Sequence, residues 1–159
     1  MLYLDTRDLE KRREEMQDEL DNLKEDLAET TEAYEEAVSQ YKEADTDEEV
    51  EEAQDFMDQK GDDRDNAFGD LQEWQEEYQE ELDELTSLDN EVSEWQDGAT
   101  LIPEDEFTEY CQELLEDTGD LPKDIPHYIV IDWEATADNL RVDYIEVEYQ
   151  GTTYLVRNC

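Results

Sequence analysis

Residues 71–92 read LQEWQEEYQEELDELTSLDNEV, and the spacing of their apolar side chains decides the fold class. Every seventh residue from Leu71 is apolar, and a second apolar series is interleaved with the first. Over the longer stretch 50–95, position a of the heptad holds Val50, Met57, Leu71, Tyr78, Leu85 and Val92, and position d holds Ala53, Ala67, Trp74, Leu88 and Trp95. This spacing predicts a coiled-coil helix.

An earlier stretch has the same kind of seam. Its d positions are Leu9, Met16, Leu23, Ala37 and Ala44, and its a positions are Leu20, Leu27, Tyr34 and Tyr41. The two seams are out of phase by two residues, which indicates an interruption between two helices. Thr46 followed by Glu49 has the form of a capping box. We therefore predict an antiparallel hairpin with arms 2–44 and 47–97 and a turn near Asp45.

Residues 61–69 are the weak point of the second arm. Gly61 and Gly69 each cost ~1 kcal/mol inside a helix, and four charged residues lie between them. The heptad phase nevertheless continues across the segment. A continuous or locally kinked helix is therefore predicted in preference to a loop.

The sequence after Gly98 predicts a small folded domain. We expect a helix over residues 103–117 with Gly119 as its stop, and extended backbone before the apolar run 128–131. Asp132 is predicted to cap a further helix that carries Trp133, Ala137 and Leu140. A two-residue turn at Gln150-Gly151 would pair Tyr149 with Thr152, Val147 with Tyr154 and Ile145 with Val156 on one buried face. The opposite face is expected to meet solvent.

The predicted fold class is therefore mainly α, with a long antiparallel helical hairpin (a coiled coil) followed by a small α+β domain that ends in a β-hairpin. Residues 1–97 are assigned to the acidic hairpin and residues 98–159 to the α+β domain.

The composition restricts the partners. The chain has 53 acidic and 11 basic residues among 159, a formal net charge of −42, with a pI near 4.1 and a mean hydropathy of −1.08. Nucleic acid and anionic membranes are poor direct partners for such a charge. No run is long and apolar enough for a membrane span, and the charged start lacks the apolar core of a secretory signal. A soluble, cytoplasmic protein is expected.

The sequence contains no recognisable catalytic or metal-binding motif. Cys111, Cys159 and the single His127 do not form a metal-ligand set of any usual spacing. Phosphate-binding loops, nucleophile elbows and zinc-protease helices are missing too. We expect neither an enzyme nor a cofactor, and we interpret Cys111 as a core residue and Cys159 as an exposed thiol in a reducing compartment.

The acidic residues are unevenly distributed. Residues 65–122 contain 21 acids and no Lys or Arg. An arm of 43 residues is ~64 Å long, and duplex DNA of that length carries ~38 phosphates, against 38 acids in the first 100 residues. Charge and length therefore permit mimicry of DNA, although any acidic coiled coil has a solvated surface. The candidate binding residues are Asp47, Glu48, Glu51, Glu52, Asp70, Glu73, Glu76, Glu77, Glu80, Glu81, Asp83 and Glu84.

Several blocks in the second half resemble the carboxy-terminal part of ArdA-type antirestriction proteins. In chain order these blocks are ELLEDTGDL (113–121), Ile125-Pro126, IDWEA (131–135), NLR (139–141), Asp143-Tyr144 and the hairpin at Gly151. The resemblance implies a dimeric, non-enzymatic DNA mimic that phages and mobile elements encode. Such a protein fills the DNA-binding groove of a type I restriction-modification enzyme. The first 97 residues depart from the family, because a long acidic hairpin stands there in place of small mixed domains.

Two functions are therefore carried forward. The first is an anti-defence inhibitor that acts in the host cytoplasm by occupying the DNA-binding groove of a restriction-modification enzyme or another nucleic-acid-guided nuclease. The alternative is an acidic coiled-coil adaptor that binds a basic protein through apolar residues beside the seam. Phe56, Phe68 and Leu82 widen the seam, which indicates a third layer. A homodimer is expected to supply this layer, and the alternative is that the carboxy-terminal domain folds back over the hairpin.

Overall fold

The computed structural model describes residues 3–158. In chain order the elements are β1 (Leu4–Asp5), α1 (Thr6–Glu43), α2 (Asp47–Glu91), β2 (Thr100–Pro103), α3 (Phe107–Thr118), α4 (Trp133–Leu140), β3 (Tyr144–Tyr149) and β4 (Thr152–Arg157). Short 3₁₀ turns at Glu104–Glu106 and Arg141–Asp143 precede α3 and β3. The predicted fold class is confirmed.

The described residues form two compact units. The first, here the helical unit, comprises residues 14–82. The second, here the sheet unit, comprises residues 3–13 together with residues 83–158. Each of the long helices α1 and α2 contributes residues to both units.

The helical unit is an antiparallel helix pair. Apart from Leu82, its buried residues lie at the predicted seam positions, and they include Met16, Leu20, Ala37, Leu71 and Trp74. Arg64 of α2 stacks on the ring of Tyr34 in α1, with 4.4 Å between the guanidinium carbon and the ring centroid. A Cβ on Gly61 would lie 3.2 Å from Tyr34 Cε2, which explains a glycine inside this helix. Helix α2 continues through residues 61–69, as predicted.

The turn between the helices is the predicted capping box. Thr46 Oγ1 accepts a hydrogen bond from the Glu49 N–H at 3.2 Å, and Glu49 Oε2 accepts one from the Thr46 N–H at 3.2 Å. The Asp45 N–H donates to the same carboxylate at 3.1 Å. These bonds satisfy backbone donors that the start of α2 leaves free.

Both predicted outer ends of the hairpin are wrong. Residues 4 and 5 form strand β1 instead of helix, and α2 ends at Glu91 instead of near residue 97. Turns follow α2, and Gly98 adopts φ +98°, a conformation that glycine tolerates best. Leu2 lies outside the described residues.

Buried and half-buried polar groups join residues 6–13, at the start of α1, to residues 89–99, at the end of α2 and in the turns after it. Thr6 is fully buried; its Oγ1 donates to the Trp95 carbonyl and accepts from the Ala99 N–H, both at 2.8 Å. The Trp95 indole donates to Glu10 at 2.6 Å. Arg13 binds Glu10 at 2.7 Å and Asp89 at 2.8 Å. The beginning of α1 is thereby fixed to the end of α2 and to the turns beyond it.

The sheet has the order β1-β2-β4-β3, and every neighbouring pair is antiparallel. The predicted hairpin register is confirmed, because Tyr149 pairs with Thr152, Val147 with Tyr154 and Ile145 with Val156. Its turn places Gln150 at φ 50° and Gly151 at φ 77°, as a type I′ turn requires.

The expectation that the second face of the hairpin meets solvent is wrong in part. Glu146, Glu148 and Arg157 on that face are exposed, but Leu155 is fully buried. Leu155 packs in a core with Ile102, Phe107, Cys111 and Ala137, which come from β2, α3 and α4. The two short helices therefore cover this face. Burial raises the pKa of the Tyr144 phenol beside this core to about 12.

The short helices differ slightly from expectation. Pro103 is the last residue of β2 and not an early helical residue, and α3 begins at Phe107 after a 3₁₀ turn. Gly119 ends α3 at φ 78°, as predicted. Asp132 Oδ1 accepts a hydrogen bond from the Ala135 N–H at 3.1 Å, which confirms the predicted cap of α4.

Candidate functional site: the acidic surface of α2

The predicted binding residues lie on α2, and most of them point away from the seam. Ten of the twelve are exposed, and two, Glu81 and Glu84, are half-buried. Glu81 is half-buried because it occupies a d position of the seam. This position follows from the spacing of Trp74 and Leu88, but it was not used in choosing the candidate binding residues.

The exposed carboxylates are concentrated on one flank. Counted with Leu71 as a, the residues Asp70, Glu73, Glu76, Glu77 and Glu80 occupy positions g, c, f, g and c. Glu48 and Glu52 continue the same flank near the start of α2, at f and c. We call positions c, f and g of α2 the carboxylate flank. Asp47 and Glu51, at e and b, lie on the other side of the helix.

The carboxylate flank is most densely charged in its middle part. Residues 70–80 carry five of its charges within eleven residues. At ~1.5 Å per residue the five charges span ~15 Å of helix axis, so successive charges are ~3.8 Å apart on average, with individual steps of about 1.5 to 4.5 Å. One strand of B-DNA carries one phosphate per about 3.4 Å of axis.

Asp83 and Glu84 belong to the sheet unit. Glu84 Oε2 accepts two hydrogen bonds from Gln150, from the backbone N–H at 3.1 Å and from Nε2 at 2.9 Å. This carboxylate therefore orients the turn of the β3–β4 hairpin. It is less suitable for a phosphate-like role, because one of its oxygens is already engaged.

The tip of the helix pair has a groove that sequence reasoning missed. The groove has a volume of about 510 Å³ and is lined by residues from both helices, Gln40, Glu43, Ala44, Asp45, Glu49, Glu52, Ala53 and Phe56. Hydrogen bonds from the Asp45 and Thr46 N–H groups lower the pKa of Glu49. The capping box was the available signal, because it brings the last turn of α1 beside the first turns of α2.

The exposed phenylalanines of α2 lie on different flanks. Phe56 is 38% exposed at position g, and the ammonium of Lys60 lies 5.4 Å from its ring centroid. Phe68 is 55% exposed at position e, on the side opposite the carboxylate flank. Leu82 is only 4% exposed. The three residues that were expected to widen the seam together therefore do not form one surface.

Groups suited to catalysis or metal binding are sparse between residues 3 and 158. No cluster of three or more His, Cys, Asp or Glu side chains in this part of the chain has a geometry that could hold a metal ion. Burial raises the pKa of the Cys111 thiol, which makes that cysteine less reactive. His127 is exposed in the loop before α4, and Cys159 lies outside the described residues.

The segments that carry the family resemblance lie in the sheet unit. The ELLEDTGDL block covers the end of α3 and its glycine stop, and the IDWEA block forms the cap and first turn of α4. The loop between them exposes Tyr128 at 76%, Ile129 at 51% and Val130 at 89%. The predicted apolar run 128–131 is therefore mostly surface.

Comparison with known proteins gives no relative: no protein-family model, curated protein or solved structure matches the chain. The ArdA resemblance therefore stays a prediction. Across residues 3–158, no helix has the length and apolar character needed to cross a membrane.

Proposed function

We propose that this protein is an anti-defence inhibitor of a phage or mobile element and acts as a DNA mimic. In this proposal it works in the host cytoplasm without a cofactor or catalytic step. It occupies the DNA-binding groove of a type I restriction-modification enzyme or of another DNA-binding defence protein.

The spacing of charge on the carboxylate flank supports the proposal most directly. A mean axial separation of ~3.8 Å between carboxylates is close to the phosphate spacing of about 3.4 Å along one DNA strand. A basic groove that binds one DNA strand through its phosphates would therefore contact carboxylates at a similar interval.

The charge pattern also indicates how binding energy would arise. Like charges at neighbouring helix positions are unfavourable for the isolated helix. A row of lysines and arginines would relieve that repulsion and release counterions on both sides. Association should therefore be fast and should weaken steeply with salt.

The adaptor function is the competing proposal, and the exposed ring of Phe68 is the observation that favours it. An adaptor would use this ring as an apolar anchor. Leu82 no longer serves that proposal, because its side chain is buried.

A competition experiment tests mimicry. A purified type I restriction-modification enzyme is saturated with a fluorescent duplex of about 30 base pairs, ~100 Å long, and the protein is titrated in while anisotropy is followed. We expect the duplex to be displaced, with an apparent affinity that falls as salt rises. A complex that holds both the duplex and the protein would contradict the mimic.

Charge neutralisation on α2 separates the two functions. Asp70→Asn combined with Gln at Glu73, Glu76, Glu77 and Glu80 removes five charges and keeps helix propensity similar. For a mimic, affinity should fall on the order of 100-fold, and the slope of log affinity against log salt should fall by about 4 to 5. For an adaptor, Phe68→Ala should cause the larger loss.

A matched control uses the other helix of the same unit. Neutralising the exposed α1 residues Glu14, Asp18, Glu25, Glu29 and Glu32 removes the same number of charges. The mimic proposal expects a clearly smaller loss from this variant. Equal losses from the two variants would indicate attraction by net charge alone and would contradict a specific role for the carboxylate flank.

A further inference from the structure

Helix α2 carries a second stripe beside its buried seam. Phe68, Gln72, Gln75, Gln79 and Leu82 are separated by four, three, four and three residues, at positions e and b. This is the spacing of a helix-packing seam. The first three side chains are exposed, Gln79 is half-buried, and Leu82 is buried. We call Phe68, Gln72 and Gln75 the amide stripe.

The amide stripe has no charge in a chain whose net charge is −42. On the same turns of α2, the carboxylate flank holds Asp70, Glu73, Glu76, Glu77 and Glu80. The two flanks therefore differ sharply, with phenylalanine and amides on one and carboxylates on the other. A basic partner would be drawn to the carboxylates, so charge gives it no reason to select the amide stripe.

We propose that the amide stripe binds the same stripe of a second copy, in an antiparallel pair with a two-fold axis near Gln72. A two-fold interface needs groups that complement themselves. A glutamine amide both donates and accepts, so it can bond to its own copy, whereas two carboxylates in that place would repel. The axis also brings Phe68 of each copy against the methylene groups of Gln75 in the other.

This arrangement keeps the charged surfaces apart. Each copy turns its carboxylate flank away from the axis, where water and ions screen the repulsion within ~8 Å at physiological salt. The stripe is short, about three helical turns with Gln79 included, so the dimer should be weak and should depend on concentration. It should also strengthen with salt, which distinguishes it from association through ion pairs. The proposal does not depend on the function proposed above.

Light scattering after size exclusion gives the first test. We expect the mass of the full chain to rise from 18.8 kDa towards twice that value as concentration increases from about 1 to about 200 µM, and more readily at ~0.5 M than at ~0.05 M NaCl. Phe68→Glu should abolish the rise. The matched control Phe56→Glu changes the exposed phenylalanine of the other flank and should leave dimerisation intact, with circular dichroism confirming the fold of both variants.

Cysteine cross-linking tests the position of the axis. In a Cys159→Ser background, Gln72→Cys should form a disulfide-linked dimer under mild oxidation. Gln59→Cys provides the control, because residue 59 is exposed at position c of the carboxylate flank and should cross-link much more slowly. A wild-type monomer at every concentration and salt would overturn the proposal. So would equal effects of the two phenylalanine changes or equal cross-linking at the two cysteines.

Discussion

The helical unit and the sheet unit use their few cations differently. In the helical unit, Lys60 pairs with Asp63 and Arg64 with Asp65, so these ion pairs join residues one to three apart. In the sheet unit, Arg7 and Arg13 also bind the nearby residues Asp5 and Glu10, but Arg13 of α1 in addition reaches Asp89 of α2. Arg141 joins Glu104 at 2.8 Å and also binds Glu146 of β3.

This difference shows where each unit gets its specificity. The helical unit is specified by a repeating apolar seam, and its exposed surface is left to carboxylates. The sheet unit is specified by contacts between distant parts of the chain, both polar, as at Thr6 and Trp95, and apolar, as around Leu155. Truncations in the sheet unit should therefore cost more than truncations at the seam.

Removing Leu155 should give the largest loss of stability. Leu155 is fully buried among side chains from three elements, whereas Leu71 of the seam is 9% exposed. Leu155→Ala should lower the free energy of unfolding by about 4 kcal/mol and Leu71→Ala by about 2 kcal/mol, because a closely surrounded site relaxes less around the cavity. Urea unfolding followed by circular dichroism measures both. A larger loss from Leu71→Ala would reverse the comparison.

Glu10 links the two parts of the sheet unit and should give an intermediate effect. Its side chain is 16% exposed and accepts bonds from the Trp95 indole and from Arg13. Glu10→Gln keeps the shape but removes the charge opposite Arg13, which should cost about 1–3 kcal/mol at neutral pH. The matched change Glu14→Gln, one turn later at an exposed position, should cost less than about 0.5 kcal/mol.

The Glu10 effect should depend on pH with a definite sign. Burial alone would raise the pKa of Glu10, but bonds from Trp95 and Arg13 outweigh it and lower that pKa. A lowered folded-state pKa adds stability above the unfolded-state value, and this stability is lost as pH falls through the folded-state value. The difference in free energy of unfolding between wild type and Glu10→Gln should be largest at about pH 7 and should decrease below about pH 4. A difference that grew on acidification would contradict this.

Periodic features of the fold were predictable from the sequence. The seam of Leu71, Trp74 and Leu85 repeats over many turns, so each turn confirms the previous one. The capping box at Thr46 and the turn at Gln150-Gly151 are local patterns with a fixed geometry. These patterns determine the turn between the two long helices and the register of the hairpin, and neither depends on contacts between distant residues.

Features that depend on distant pairing were missed. Strand β1 is two residues long and exists because Leu4 pairs with Leu101, almost a hundred residues away. Leu155 sits on a face that reads as polar, and only the packing of α3 and α4 makes it core. The heptad spacing continues to Trp95, which led to the prediction that the helix reaches residue 97. The helix in fact ends at Glu91, and the Trp95 indole bonds to Glu10, 85 residues earlier in the chain.

The candidate site was predictable to the same extent. The heptad places Glu73 and Glu80 on the surface, and the structure agrees. The engagement of Glu84 by Gln150 depends on a hairpin 66 residues further along the chain, so spacing alone could not reveal it. The separation of Phe56 from Phe68 was available from their g and e positions.

The two glycines inside α2 should show the smallest effects, and their difference tests how tightly the helical unit is packed. A Cβ at position 69 would meet no atom within 4 Å, so Gly69→Ala should raise the free energy of unfolding by about 0.5–1 kcal/mol through helix propensity alone. The same gain applies to Gly61→Ala, but there the new methyl would stand 3.2 Å from the Tyr34 ring. That ring also stacks with Arg64, so its displacement should cancel most of the gain. Thermal unfolding of both variants and of wild type measures the two changes in stability. Equal stabilisation by the two substitutions would mean that Tyr34 moves aside freely and does not fix the distance between α1 and α2.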